Sequence, residues 1–384
     1  MDFSQFFSDI TFVEILMLVL TIITALLFIP LITGLLRVPF SRPQHDDNKL
    51  PTVSILVSAR NEEIDLPHCI DALVALDYPV EKVQIILVDD RSTDRTPEIV
   101  REAAAKHAHV VALHTVDFEV NLVGKARGLT VGMRHATGEW VAMTDADAAP
   151  NRLWLRHLLH EVADDVGMVG GSLVVEPTGL VGRIERCVFS FVQMFNIGIH
   201  GLGGYIACIG SNLVMRRSIY ESAGGFENIP DGPQDDLILH NMTIQAGWKV
   251  LNFMDKATSV RLKPVPGFLY LISQQRRWLG GGYNVEGYLI PLLLTFWSGF
   301  LLGFFQLFGW IFSLKYWLIL ITVKISLELI NTAVQRWRME EPRMFRTYWP
   351  MILYSPIILM ILPVSLMYDS KIRWRGNGYV ITYE

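Results

Sequence analysis

Apolar and polar positions alternate in blocks along this chain, and the length of the blocks changes twice. Residues 10–30 form one apolar run long enough to cross a bilayer. The polar stretch 41–51, SRPQHDDNKLP, reads as a linker. From Pro51 the runs shorten to strand length: TVSILVSA (52–59), VQIILV (83–88), VVALH (110–114) and EWVAM (139–143) suit buried parallel strands. Helical patterns separate them: one ends at Leu76, one starts at Thr96-Pro97 as N-cap and first helical residue, and one covers 125–136 before Gly138. This alternation predicts an α/β fold with a mostly parallel sheet and ligands at its carboxyl edge. Further on, the pattern predicts a helix over 151–163 after the loop closed by Pro150. It also predicts strands over 166–175 and 208–216, apolar helices over 180–200 and 235–246, and a segment 269–279 whose basic cluster and Trp278 suit a membrane surface.

Beyond Gly280 the apolar runs lengthen again, over 288–312, 316–334 and 349–367, the last containing Pro356 and Pro363. Arg37 and Arg42 follow the first run, and Arg336, Arg338, Arg343 and Arg346 lie between the last two, which places the intervening domain in the cytoplasm and the N-terminus outside. Asp2, Asp9 and Glu14 stand where a cleaved signal would carry positive charge, so the first run reads as an anchor. Four spans put the C-terminus outside, whereas Lys371, Arg373 and Arg375 favour the inside; a tail that breaks the rule and a re-entrant last segment both stay open. Lys324 and Glu328, four residues apart in an apolar span, share one helix face. They form either an internal ion pair or a polar path for an acceptor headgroup.

Composition narrows the picture. With 384 residues, 51% hydrophobic content and a mean hydropathy of +0.33, the chain holds a globular domain plus apolar segments. A net charge of -5 gives no support to nucleic-acid binding. Cys69, Cys187 and Cys208 are scattered, with neither a disulfide framework nor zinc spacing.

The chemistry concentrates at strand ends. Glu62 and Glu63 follow the first strand, Asp89 and Asp90 the second, and Asp145 and Asp147 the fourth, within MTDADAAP. A lone DxD is as readily an Asx turn, but acidic residues at three ends of one edge ask for a cation. The Asp145/Asp147 pair, with no basic residue beside it in sequence, suits a divalent ion bridging a diphosphate. Asp235 and Asp236 open an apolar helix, where acidic residues are also ordinary dipole partners.

In order along the chain stand NEE (61–63), DD (89–90), GK (124–125), DAD (145–147), GSN (210–212), DD (235–236) and Q-x-x-R-W (274–278). Together they resemble the membrane-embedded, family 2 inverting glycosyltransferases of GT-A fold, among them ceramide glucosyltransferase and the hyaluronan, cellulose and poly-N-acetylglucosamine synthases. The resemblance spans about residues 51–278 and implies a GT-A domain over 51–265, an interfacial segment over 266–287, transmembrane regions over 1–40 and 288–368, and a tail over 369–384. It departs from the family in DD at 235–236, where ED is more usual, and in GKARGLT at 124–130, where Ala and Asn are usual.

The resemblance implies a nucleotide-sugar donor, UDP-linked in most look-alikes, and Mg2+ or Mn2+ held by Asp145 and Asp147. It implies donor contacts from Glu62, Glu63, Asp89, Asp90, Lys125, Asp145, Gln274 and Arg277, and acceptor contacts from Trp278, Gly210 and Asn212. Asp236 is the expected general base, with Asp235 in support. The expected acceptor is a lipid hydroxyl; a processive polysaccharide synthase is the alternative. A non-catalytic sugar-binding protein would need these acidic sites degraded, and they are intact.

Overall fold

A computed structural model describes residues 10–160, 162–205, 208–228, 235–282, 289–342, 344–368, 371–374 and 377–380. Its centre is a seven-stranded sheet in the order β3-β2-β1-β4-β8-β6-β9. Strands β1 (Val53–Ala59), β2 (Val83–Asp89), β3 (Val110–His114) and β4 (Trp140–Met143) are parallel, as the sequence pattern predicts. β8 (Leu213–Arg216) runs antiparallel to β4 and to β6 (Val166–Gly170), and β9 (Lys249–Asn252) restores the parallel direction beside β6. Ala59 lies opposite Asp89, and Asp89 opposite His114. The loops after β1 and β2 therefore leave from one edge at one level, and β4, whose Met143 faces Leu56, ends a few residues lower.

Period-two alternation sorts the side chains onto two cores. Ile55, Val57, Ile85 and Leu87 point to one face, covered by helices Leu66–Val74, Thr96–Lys106 and Trp154–Leu158. Leu56, Ile86 and Val88 point to the other, covered by helices Gly124–His135 and Asp235–Gln245. Gly124–His135 lies unusually close to the sheet: a Cβ at Gly128 would sit 2.1 Å from Ser58 Oγ, and one at Gly132 would sit 2.9 Å from Leu56 Cδ2. That approach fixes the first turn of the helix, and Lys125 with it.

A second sheet, β5-β10-β7, was not expected. β5 (Ala148–Pro150) pairs antiparallel with β10 (Val260–Leu262), which runs parallel to β7 (Leu173–Val175). Pro150 is thus a strand residue instead of the close of a loop, and the helix predicted over 151–163 shrinks to Trp154–Leu158. The strand predicted over 166–175 breaks at Gly171-Ser172 because its two halves serve different sheets. The one predicted over 208–216 begins only at Leu213.

The long helices form a third region. Phe12–Arg37, Gly179–Gly201 and Leu314–Met339 share a core that includes Phe28, Leu31, Leu35, Met194, Ile197 and Leu327. Phe12–Arg37 and Gly179–Gly201 cross at backbone contact, since a Cβ at Gly34 would lie 1.9 Å from the Gly198 carbonyl oxygen. Among the described residues, Phe12–Arg37 and Leu314–Met339 are long and apolar enough to cross a membrane. The run over 288–312 appears as helix Leu289–Phe308, and the last one as helix Met351–Tyr368, continuous past both prolines. Arg343 and Arg375 lie outside the described residues.

Lys324 and Glu328 are both buried and paired. Lys324 Nζ lies 3.2 Å from Glu328 Oε1 and donates to Ser355 Oγ at 2.7 Å, while the Tyr348 hydroxyl donates to Glu328. Arg338, counted as a loop charge in the sequence, is also buried, donating to the carbonyls of Met254 and Pro39.

Candidate active site

The loops after β1 and β2 are zipped together by their own polar groups. Asn61, in the left-handed region at φ 55°, accepts from the Thr93 N–H at 2.8 Å and donates its own N–H to Ser92 Oγ at 2.9 Å. The Glu62 N–H donates to Thr96 Oγ1 at 2.8 Å, so Thr96 joins the two loops and does not act as an N-cap. Glu63 accepts the Arg95 N–H at 3.1 Å and is exposed, which spends its carboxylate on the start of helix Thr96–Lys106. Asp89 accepts from the Ser92 N–H at 3.2 Å and faces His114 Nδ1 at 3.4 Å.

Asp90 is buried and pinned through one oxygen: Oδ1 accepts from Arg127 Nε at 2.6 Å and from Thr115 Oγ1 at 2.9 Å. Arg127 was not singled out from the sequence. The available signal was its place in GKARGLT, a second cation two residues after Lys125 in a helix that starts at the acidic edge.

The Asp145/Asp147 loop does have a basic neighbour, contrary to its sequence context. Lys125 Nζ lies 2.8 Å from Asp145 Oδ1 and 3.2 Å from Asp235 Oδ2, reaching across from the first turn of Gly124–His135. Burial alone would lower the lysine's pKa, but Asp145 and then Asp235 outweigh it and hold the ammonium charged. Asp236 beside it accepts the Leu237 N–H at 2.9 Å on one oxygen and the Gly210 N–H at 3.2 Å on the other. Burial, and next the charge of Asp235, push its carboxyl up to about 6. Gly210 therefore holds Asp236 directly, and a Cβ at Gly210 would crowd it at 3.2 Å.

Three carboxylates, Asp145, Asp235 and Asp236, thus act on one lysine, and the excess negative charge with hard oxygen donors fits a divalent cation. Among the described residues no preassembled group of three or more metal-ligating side chains occurs.

Asn212 lies behind the site, not in it. Its side chain is fully buried, accepting from Trp154 Nε1 at 2.7 Å and donating to the carbonyls of Ser172 and Thr258 at 2.7 and 2.9 Å. Both N–H donors are spent joining the two sheets, and the buried side chain has no surface to offer an acceptor.

Helix Phe268–Gly282 carries Gln274, Arg277 and Trp278. Gln274 Nε2 donates to Glu185 Oε1 at 3.1 Å, and the other oxygen of Glu185 accepts the Val265 N–H at 2.8 Å. Glu185, an acid in an otherwise apolar helix face, clamps this helix to Gly179–Gly201. Burial raises its pKa above the usual carboxylate range. Trp278 packs edge-to-face on Phe189 at 5.1 Å, and Gln275 donates to the Tyr354 hydroxyl at 2.7 Å. Arg277 is half-buried on the same helix. Lys263, at the lead-in to this helix, meets Asp65 at 2.8 Å.

The profile described as Glycosyl transferase family 2 matches residues 54–224, and that described as Glycosyl transferase family group 2 matches residues 140–368. A beta-monoglucosyldiacylglycerol synthase from Nostoc sp. is 28% identical over 256 residues, 65% of this chain and 53% of that protein. A poly-beta-1,6-N-acetyl-D-glucosamine synthase from Staphylococcus epidermidis is 26% identical over 274 residues, 68% of this chain and 61% of that protein. The chain spans about half the length of the first relatives it matches. A mannosyltransferase from Pyrobaculum calidifontis, solved in complex with GDP-Man and Mn2+, shares the fold with a TM-score of 0.56 at 20% identity, over 91% of this chain and 98% of that one.

Proposed function

The chain belongs to glycosyl transferase family 2, and from that premise we propose that it transfers a sugar from a nucleoside diphosphate to a lipid hydroxyl at a membrane surface, with inversion. The observation that carries this reading is the pair opening helix Asp235–Gln245. Asp236 is half-buried, held by two backbone N–H groups, and its carboxyl is raised to about 6 by desolvation and by Asp235, as suits a general base.

The acceptor hydroxyl loses its proton to Asp236 as its oxygen bonds the anomeric carbon. The bond from that carbon to the diphosphate breaks on the opposite face, and the electron pair leaves with the nucleotide. Asp145 and Asp147 would hold a Mg2+ or Mn2+ ion, whose chemistry is to neutralise the charge gathering on the departing diphosphate. Lys125 and Arg277 would bring positive charge to the same group, the guanidinium as a fork matched to phosphate oxygens. Asp90, with one oxygen taken by Arg127 and Thr115, has its other oxygen for the base or ribose. Glu62, Glu63 and Asp89 shape that pocket through the zipped loops, Gln274 sets the helix that bears Arg277, and Trp278 serves the acceptor side.

Two features support a lipid acceptor. The helix bearing Arg277 and Trp278 packs on Met351–Tyr368 through Leu271 and Tyr354, beside the apolar helices. A relative covering 65% of this chain is by its name a synthase of a glycosylated diacylglycerol. Integral membrane placement with a cytoplasmic catalytic domain rests on the two long apolar helices and on exposed Arg336 and Arg346 beside the second of them. The similarity to a poly-N-acetylglucosamine synthase supports the second reading, a processive polymerase. Membranes containing the protein, fed radiolabelled UDP-sugars, should yield organic-soluble glycolipid; label found only in polymer would establish the second reading and end the first.

A further inference from the structure

We propose that Lys125 is a positioning residue shared by the two halves of the site, a latch whose ammonium leaves Asp235 for the donor's diphosphate when the donor binds. This rests on the glycosyltransferase reading above and adds to it a coupling between donor arrival and the base pair.

The geometry points this way in three respects. Asp145 and Asp235 belong to opposite halves, one on the loop after β4 and the other opening the helix that carries the base, and Lys125 Nζ touches both. The two contacts are unequal: 2.8 Å to Asp145 against 3.2 Å to Asp235. Asp235 Oδ2 is buried and makes no hydrogen bond among the described residues, so charge alone holds it to the lysine. A third anion entering the site competes first with the longer, undirected contact.

The helix backbone cannot follow such a move. Gly128 and Gly132 seat Gly124–His135 against β1 with no room for even a methyl group. Only the four-carbon stem of Lys125 can swing, which confines the change to one side chain and makes it fast. Once the ammonium has gone, the charge of Asp235 is left uncompensated beside Asp236, and the pair holds its proton more tightly. Donor binding thus readies the carboxylate that takes the acceptor's proton.

The test uses the full chain in detergent with Mn2+, at pH 8, and UDP and GDP as probes. Asp235→Asn removes the latch partner, so the lysine is free for the diphosphate and the better-bound nucleotide should bind about three- to tenfold tighter than wild type. Asp236→Asn removes a neighbouring charge without touching the latch and should give a smaller gain. In a Lys125→Met background, where no ammonium remains to be shared, the difference between the two Asn variants should disappear. Equal shifts in the two variants, or a difference that survives Lys125→Met, overturn the latch while leaving the transferase reading in place. Wild-type protein that binds neither nucleotide overturns both. Thermal melting of each variant shows that it is folded before binding is scored.

Discussion

Two lysines in this protein each lie within about 3.2 Å of a carboxylate, one pair buried and the other half-buried, in surroundings that differ. Lys324 faces one glutamate, and Ser355 and Tyr348 supply the hydrogen bonds that the pair still lacks. Lys125 faces two aspartates with Asp236 nearby, and one oxygen of Asp235 is left without a hydrogen bond among the described residues. The first network is charge-balanced, with a further hydrogen bond on each partner. The second is over-supplied with negative charge and incomplete, so a ligand can complete it. For a buried ion pair, the satisfaction of its neighbours therefore says more about its role than its distance does.

The comparison can be broken at several points. The largest effect is expected from Asp147→Ala, which should abolish turnover while the protein still folds and inserts. Full activity of that variant in excess chelator would end the metal assignment. In the apolar helices, Glu328→Ala leaves a buried lysine unpaired and should destabilise by about 3–5 kcal/mol. Replacing Lys324 and Glu328 together with Leu should be near neutral or stabilising, with transfer unchanged. Loss of transfer in that double variant with donor hydrolysis intact would show instead that this face handles the acceptor. Asp236→Asn should lower transfer by a factor on the order of 10² or more with donor binding retained, and an active Asp236→Asn beside a dead Asp235→Asn would exchange their roles.

The pH dependence sharpens the same contrast with the smallest effect. Asp236 must be ionised to accept a proton and is raised to about 6, so the transfer rate should fall as pH drops through that value. Asp235→Asn removes one of the causes of the rise, and the acid limb should move to lower pH, by less than about one unit. An unmoved limb would mean that another group sets it.

What could be read from the sequence follows the reach of each signal. β1, β2 and β3 were legible within a residue at either end, because buried strands bounded by acidic or turn residues carry their own pattern. The strands of the second sheet are three residues long, too short for any period to register. The acidic edges were legible as a set, but their partners were not. Lys125 reaches Asp145 across twenty positions only because glycines let its helix sit against β1. Asn212, in a recognisable GSN, turned out to join the two sheets, since burial cannot be read from a tripeptide. Glu185 was passed over as one polar residue in an apolar helix, although a lone buried acid always needs a donor, and here it has Val265 and Gln274.

The crossing at Gly34 and Gly198 has a mechanical consequence. Phe12–Arg37 has 26 residues and so is about 39 Å long, against a hydrocarbon slab of about 30 Å. In a bilayer such a helix leans, and the lean changes with membrane thickness. Because the two backbones touch at Gly34 and Gly198, a change of lean in the first helix would press directly on Gly179–Gly201. Glu185 on that helix grips the segment that carries Arg277 and Trp278. In the membrane placement proposed above, the first helix would be a lever as well as a tether, its lean carried through Gly34 and Gly198 toward the segment that bears Arg277 and Trp278.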